Sequence, residues 1–230
     1  MKFDHPIRIL SRRDRLLWGF SVLVIAGSAI CCRSADPLSV TASLIGVTGL
    51  IYMAKGHPYG QLITIFFSVL YGIISYFSRY YGEMLTYLGM TLPMAALSLV
   101  TWMRNPYGDS ATVTVRQTLS RRLLFRMLTL TAAVTALFGW MLALLHTACL
   151  PVSILSVTTS FLAAFLTAAR SPYYALAYAA NDIVLVILWI AAREIPMTAC
   201  FLMFLINDLY AFVNWKRRAA AQRSDSLQET

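Results

Sequence analysis

The chain has 230 residues, of which 59% are hydrophobic and 13% charged, and its formal net charge is +9. An apolar content this far above the roughly 45–50% of soluble domains cannot be hidden from water in a chain of this length, which excludes an ordinary soluble enzyme or binding module. Nor is the charge a nucleic-acid footprint, because the basic residues sit in short flanks of apolar segments instead of forming a basic domain.

In chain order, apolar segments run at about 16–32, 37–54, 60–80, 83–102, 123–146, 151–169, 172–192 and 196–215. A bilayer core about 30 Å thick takes roughly 20 apolar residues per helix. The pattern therefore predicts an all-α polytopic membrane protein of about eight transmembrane helices. The first segment has the features of a signal peptide, since Arg12, Arg13 and Arg15 precede an apolar stretch ending in Gly27, Ser28 and Ala29. A repeat described below matches it to the mid-chain segment 123–146, so it is expected to be retained. Between the fourth and fifth segments, 104–122 holds the turn-rich cluster Asn105-Pro106-Tyr107-Gly108-Asp109 and then a basic run. The expected divisions are 1–105, a first repeat with an N-terminal helix and a three-helix bundle; 106–122, a cytoplasmic linker; 123–218, a linking helix and a second three-helix bundle; and 219–230, a cytoplasmic tail.

Of the 19 Lys and Arg, all but Arg33, Arg79 and Arg193 fall on one face when the segments alternate across the membrane. The positive-inside rule then puts both termini in the cytoplasm of a multi-pass protein of the cell (inner) membrane, as an even helix count also requires. The phosphate-binding pattern GxxxxGK[ST] is missing, and no segment is large enough for a soluble catalytic domain. Cys31, Cys32, Cys149 and Cys200 show no CxxC spacing and read as small apolar residues of helices; His57 and His146 stand at helix ends far apart, and there is no HExxH. No catalytic residue, metal site or cofactor is predicted, and the chain is not expected to be an enzyme.

An internal repeat organises the chain. Pro37-Leu38-Ser39 aligns with Pro151-Val152-Ser153, Pro58-Tyr59 with Pro172-Tyr173, and, after a one-residue gap, Trp102-Met103-Arg104 with Trp215-Lys216-Arg217. Ser11-Arg12-Arg13 and Ser120-Arg121-Arg122 precede the leading helix of each unit. Four helices per unit is an even number, so both copies keep the same orientation, the parallel-repeat arrangement of transporters.

Ionisable groups deep in a membrane are costly and mark function by default. Asp182 and Asp208 lie near the middle of the seventh and eighth segments, and each follows an asparagine, Asn181 and Asn207. On the seventh segment Tyr174, Tyr178, Asn181, Asp182 and Trp189 share one helical face; the third segment offers Gln61, Thr64, Ser68, Tyr71 and Ser75, the fourth Tyr87, Thr91, Met94, Ser98 and Trp102. Aromatic, amide and carboxyl groups together suit a polar aromatic ring, neutral or cationic. The candidate substrate-binding set is Asn181, Asp182, Tyr174, Tyr178, Trp189, Gln61, Thr64, Tyr71, Asn207 and Asp208. Trp102 and Trp215, beside basic residues at helix ends, read as an interfacial belt. Ser and Thr at these spacings also serve helix packing, which stands beside the lining reading.

Lys55-Gly56, Tyr59-Gly60, Tyr71-Gly72, Tyr81-Gly82-Glu83, Leu92-Pro93 and Trp102, followed by Asn181 and Asn214-Trp215, resemble the PnuC family of nicotinamide riboside and vitamin-precursor transporters. The similarity covers about 37–105 and 151–218. It implies a SWEET-like fold of two three-helix bundles, a linking helix at about 123–146 and an extra N-terminal helix. It further implies a small ribosylated or aromatic vitamin precursor moved by facilitated diffusion and trapped by a cytoplasmic kinase. The lipid bilayer is the other expected partner and nucleic acid is not; a homo-oligomer is left open. The chain has Tyr173, Tyr174 and Tyr178 where the family commonly carries tryptophans, and Met94-Ala95 where riboside members often carry a glutamine. The resemblance does not supply Asp182 or Asp208. Thiamine and riboflavin therefore stay beside the riboside as candidate substrates, and a binding subunit of an ATP-driven importer stays as an alternative. The two carboxylates raise proton coupling as a further question, to which the resemblance answers with plain diffusion.

Overall fold

A computed structural model describes residues 9–31, 37–77, 81–147, 149–191 and 193–228. Among these residues eight helices are long and apolar enough to cross a membrane: α1 Arg12–Cys31, α2 Pro37–Ala54, α3 Pro58–Phe77, α4 Tyr81–Met103, α5 Arg121–Leu144, α6 Leu150–Ala168, α7 Tyr174–Ala191 and α8 Ile195–Gln228. The described residues contain no β-strand beyond an isolated bridge between Pro106 and Val113. Proline opens α2 and α3, where its missing N–H would have no intrahelical partner anyway. Arg33, Arg79 and Cys32 lie outside the described residues.

Six helices close a ring, each touching the next in the order α2, α3, α4, α6, α7, α8 and back to α2. α1 packs outside the junction of α8 and α2, and α5 packs on α6 beside the start of α4. In a bilayer, lipid is as apolar as leucine, so such contacts depend on close approach and hydrogen bonds rather than on burial of apolar area. Small residues supply the approach. A Cβ on Gly60 would stand 2.6 Å from the backbone nitrogen of Met53, so only glycine lets α3 lie this close to α2. Serines and threonines along the helices mostly donate to the carbonyl four residues back, as Ser43 does to Ser39 and Thr167 to Ala163, which satisfies them within lipid.

Trp102 and Trp215 correct the belt reading. Both are fully buried, their rings 5.4 Å apart. The Trp102 indole donates to the carbonyl of Thr167 (3.0 Å), and the Trp215 indole to that of Met53 (2.9 Å). Each closing tryptophan thus bonds the end of a helix in the other half of the ring, because an indole N–H kept from water needs an acceptor and the last turns of α2 and α6 have carbonyls to spare.

The segment between α4 and α5 and the end of α8 are more ordered than a linker and a tail. Val113 N–H donates to Gly56 O (2.9 Å) and Arg116 N–H to Arg170 O (2.9 Å), so the segment crosses both the 55–57 and 169–172 turns. Val113 and Val115 are buried beneath it. α8 continues to Gln228 instead of stopping near residue 215, through helix-favouring Ala219, Ala220, Ala221 and Gln222. The buried Gln222 takes the Val115 N–H (2.8 Å), and Tyr107 donates to Asp225 (2.6 Å). Partial burial, and after it the neighbouring Arg116, lowers the pKa of Arg170 at this end.

α1 is anchored by its own N-terminus. Ser11 caps it, and the Ser11 N–H and hydroxyl donate to Asp14 (2.6 and 2.5 Å). The buried Asp14 also takes Tyr210 of α8 (2.6 Å) and Lys55 after α2 (2.5 Å). One carboxylate so joins α1 to both ring helices it touches.

Candidate functional site

Sequence dictates a break in α4. Pro93 has no N–H and its ring crowds the preceding turn, and just before it the ladder widens: residues Tyr87–Thr91 form a π turn in which Leu92 N–H reaches Tyr87 O. The two ends of that turn, Tyr87 and Thr91, face a cavity at the centre of the ring. The cavity measures about 60 Å3, and every ring helix lines it: Gly46, Leu50 and Met53 from α2, Thr64 and Phe67 from α3, Tyr87 and Thr91 from α4, Ser160 from α6, Tyr178, Asn181 and Asp182 from α7, and Phe201, Phe204 and Asp208 from α8. α1 and α5 contribute nothing to it.

One side is aromatic. The Phe67 ring lies 5.7 Å from Tyr87, edge-on, and 5.8 Å from Phe204; Phe201 is 5.3 Å from Phe204. Tyr71 backs this layer, 4.2 Å from Tyr87. Gly46 makes room for it, since a Cβ there would meet Phe204 at 2.5 Å and Phe67 at 3.0 Å.

The other side is polar. The Asn181 carbonyl accepts from three hydroxyls of α6, Ser156 (3.3 Å), Thr159 (2.9 Å) and Ser160 (3.0 Å). With its oxygen so engaged, the amide NH2 is what Asn181 can offer the cavity, where it would suit a carbonyl acceptor. Asp182 of α7 and Asp208 of α8, both buried, line the cavity together. Asp182 Oδ2 is buried and receives no hydrogen bond from an N–H or hydroxyl donor among the described residues.

Five of the ten expected site residues, Asn181, Asp182, Tyr178, Thr64 and Asp208, meet in this cavity. The other five lie elsewhere. Tyr174 is turned to the basic end, donating to Met53 O (3.2 Å) and packing on Trp215. Tyr71 and Trp189 form a layer behind the lining, their rings 6.4 Å apart. Gln61 is buried away from the cavity with an unpartnered NH2. Asn207 faces α1, donating to Ser21 (3.0 Å) and Met203 O (2.7 Å), because the residue beside Asp208 points about 100° away on a helix. The cavity is also lined by Gly46, Leu50, Met53, Phe67, Ser160, Phe201 and Phe204, none of them expected from the sequence. Of these only Ser160 had a signal, the Ser153, Ser156, Ser160 stripe at i, i+3, i+7.

The sequence model of a family described as nicotinamide mononucleotide transporter matches residues 36–217, from the start of α2 into α8. The chain belongs to this family. It is 25% identical over 195 residues, 79% of its length and 74% of the relative's, to the nicotinamide riboside transporter PnuC of Neisseria mucosa. The crystal structure of the vitamin B3 transporter PnuC superposes with a TM-score of 0.79, at 19% identity, over 93% of this chain and 94% of that one. The fold is therefore that of a PnuC transporter, and the matched stretch includes every lining residue of the cavity. Among the described residues no group of His, Cys, Asp or Glu is arranged to hold a metal ion.

Proposed function

We propose that the chain carries nicotinamide riboside, or a closely similar ribosylated vitamin precursor, down its gradient through the central cavity, and performs no chemistry on it. The observation that carries this reading is a single cavity to which all six ring helices contribute, with aromatic rings on one side and an amide and two carboxyl groups on the other. Aromatic faces hold a flat ring while the Asn181 NH2 meets a carboxamide oxygen. At about 60 Å3 the cavity is well below the roughly 300–1,000 Å3 of pockets that enclose drug-sized ligands, so the ring helices must part to load it. The two halves of the ring, α2–α4 and α6–α8, are the natural moving bodies. The repeat in sequence and the paired Trp102 and Trp215 bonds support treating them as equivalent units.

The proposed orientation has both termini and the basic end in the cytoplasm, where a kinase traps the substrate. Cysteine labelling from each side, on a background without native cysteines, checks it; external labelling of 104–122 sinks it. The function itself is tested by uptake of labelled nicotinamide riboside, thiamine and riboflavin into proteoliposomes. Uptake of none of them by folded protein rejects the reading. Thiamine is the second reading, favoured by the carboxyl pair because its ring is also cationic.

A further inference from the structure

Beyond the cavity, toward the end of the ring away from the basic turns, two polar side chains stand level with each other. Tyr71 of α3 and Tyr87 of α4 face each other, their rings 4.2 Å apart, and Gly72 lies against Leu88, so close that a Cβ on the glycine would stand 2.5 Å from that side chain. Because α3 and α4 are antiparallel neighbours, this register brings Ser75 and Glu83, four residues further toward that end on the same two faces, to one level. These faces point into the ring. Tyr71 meets Trp189 of α7 and Phe201 of α8 (6.4 and 6.1 Å), whereas Ile73, Tyr76 and Phe77 are exposed on the lipid side. Ser75 and Glu83 are both buried. On the same helix Thr64 and Ser68 each donate to the carbonyl four residues back (2.8 Å), but the Ser75 hydroxyl has no hydrogen-bond partner among the described residues, and neither has Glu83 Oε2. Polar groups left so within a membrane are strongly unfavourable, and a ligand that bonds both removes the cost.

We propose that Ser75 and Glu83 form the subsite for the hydroxyls of a sugar joined to the transported ring. The offset of four residues is about 6 Å along a helix, which matches the reach from an aromatic ring held among Phe67, Tyr87 and Phe204 to the hydroxyls of such a sugar. A hydroxyl donates and accepts at once, so it satisfies the Ser75 hydroxyl and the Glu83 carboxyl together, whether that carboxyl is ionised or protonated. Two neighbouring hydroxyls, as on a ribose, serve the pair better than one. Neither residue lines the closed cavity, and the Tyr71 and Tyr87 rings lie between. The pair is reached when α2–α4 and α6–α8 part at this end, a movement that loading a cavity of about 60 Å3 already demands. Toward the basic end there is no such opening for a sugar: Trp102, Trp215 and Tyr174 pack on one another there, and both indoles are bonded to helix-end carbonyls.

This subsite rests on the reading of the cavity as the substrate site, and its test keeps the two apart. Nicotinamide riboside and 1-methylnicotinamide share the ring and its positive charge, and only the first carries a sugar. Calorimetric Kd values on the purified full chain, the weaker ligand measured by competition, should show the riboside bound at least about tenfold more tightly. Glu83→Leu should weaken the riboside at least about tenfold and 1-methylnicotinamide less than about threefold. Glu83→Gln, which still bonds a hydroxyl, should stay within about threefold of the unaltered protein for both ligands, and Ser75→Ala should weaken the riboside alone, by about fivefold. Equal losses on the two ligands assign these residues to packing, and unchanged riboside affinity in the variants removes the subsite. Either result overturns the inference and leaves the cavity standing as the substrate site. If Glu83→Leu does not fold, Ser75→Ala decides alone. Binding of neither ligand to the folded, unaltered protein overturns the inference and the substrate reading together.

Discussion

Replacing Asn181 with leucine keeps the volume of the side chain and removes both functions of its amide. Two separate losses follow from the structure. The first is mechanical: Ser156, Thr159 and Ser160 lose their shared acceptor on α7. One carbonyl has two lone pairs for three hydroxyls, and Thr159 also lies 2.9 Å from Leu155 O, so these groups turn back to carbonyls of α6. At ~0.6 kcal/mol per interhelical hydrogen bond in a membrane, the loss of stability should be about 1–2 kcal/mol. The second is functional: a donor in a desolvated pocket is withdrawn from the ligand, at about 1–3 kcal/mol, which is roughly tenfold to a hundredfold in Kd. A control divides them. Thr159→Val with Ser160→Ala removes most of the clamp and leaves the amide, so it should cost similar stability and less than about threefold in affinity. Calorimetric Kd and thermal midpoints on monodisperse protein give both quantities for both variants. Wild-type affinity in Asn181→Leu refutes the reasoning and reduces Asn181 to a packing residue.

Gly46→Ala puts a methyl group where Phe204 and Phe67 now stand, forcing both rings toward the cavity; affinity should fall at least about tenfold with the fold intact, and unchanged affinity would show that the rings yield elsewhere. Gly60→Ala meets the backbone of Met53 instead of a ring and cannot be relieved by a rotamer, so it should lower stability by about 1–3 kcal/mol in a denaturant or thermal assay. Asp14→Asn removes the charge that Lys55 faces while Lys55 stays partly exposed to water, so the cost should be about 1–3 kcal/mol, below that of a fully buried pair. Because α1 contributes nothing to the cavity, uptake should survive in folded Asp14→Asn protein, with protease sensitivity rising near residue 12; lost uptake would give α1 a part in transport. Trp102→Phe and Trp215→Phe each delete one indole bond of similar length, 3.0 and 2.9 Å, and should each cost about 1 kcal/mol; a much larger loss from one of them would show that the two halves of the ring are held unequally.

Helix number and rough position were legible because the membrane enforces them: every segment that crosses lipid must satisfy its own backbone and stay apolar for roughly 20 residues, and that signal is local. The carboxyl pair was legible for the same reason, since Asp182 and Asp208 stand out against lipid-compatible neighbours. What periodicity could not supply was the direction in which each stripe points. Asn207 and Asp208 are adjacent in sequence and read as one polar spot, yet one ties α1 to α8 and the other lines the cavity. Tyr174 and Tyr178 share a face of α7, but the first sits a turn nearer the basic end, where Met53 O and Trp215 claim it. The aromatic wall was hidden altogether, because Phe67, Phe201 and Phe204 on a membrane helix have the composition of lipid-facing residues, and Phe66, beside Phe67, does face outward. A polar residue in a membrane helix reveals itself by its cost, whereas an apolar residue that touches substrate costs nothing and leaves no mark in the sequence. The sequence of such a carrier therefore shows the charged half of its site and conceals the half that stacks.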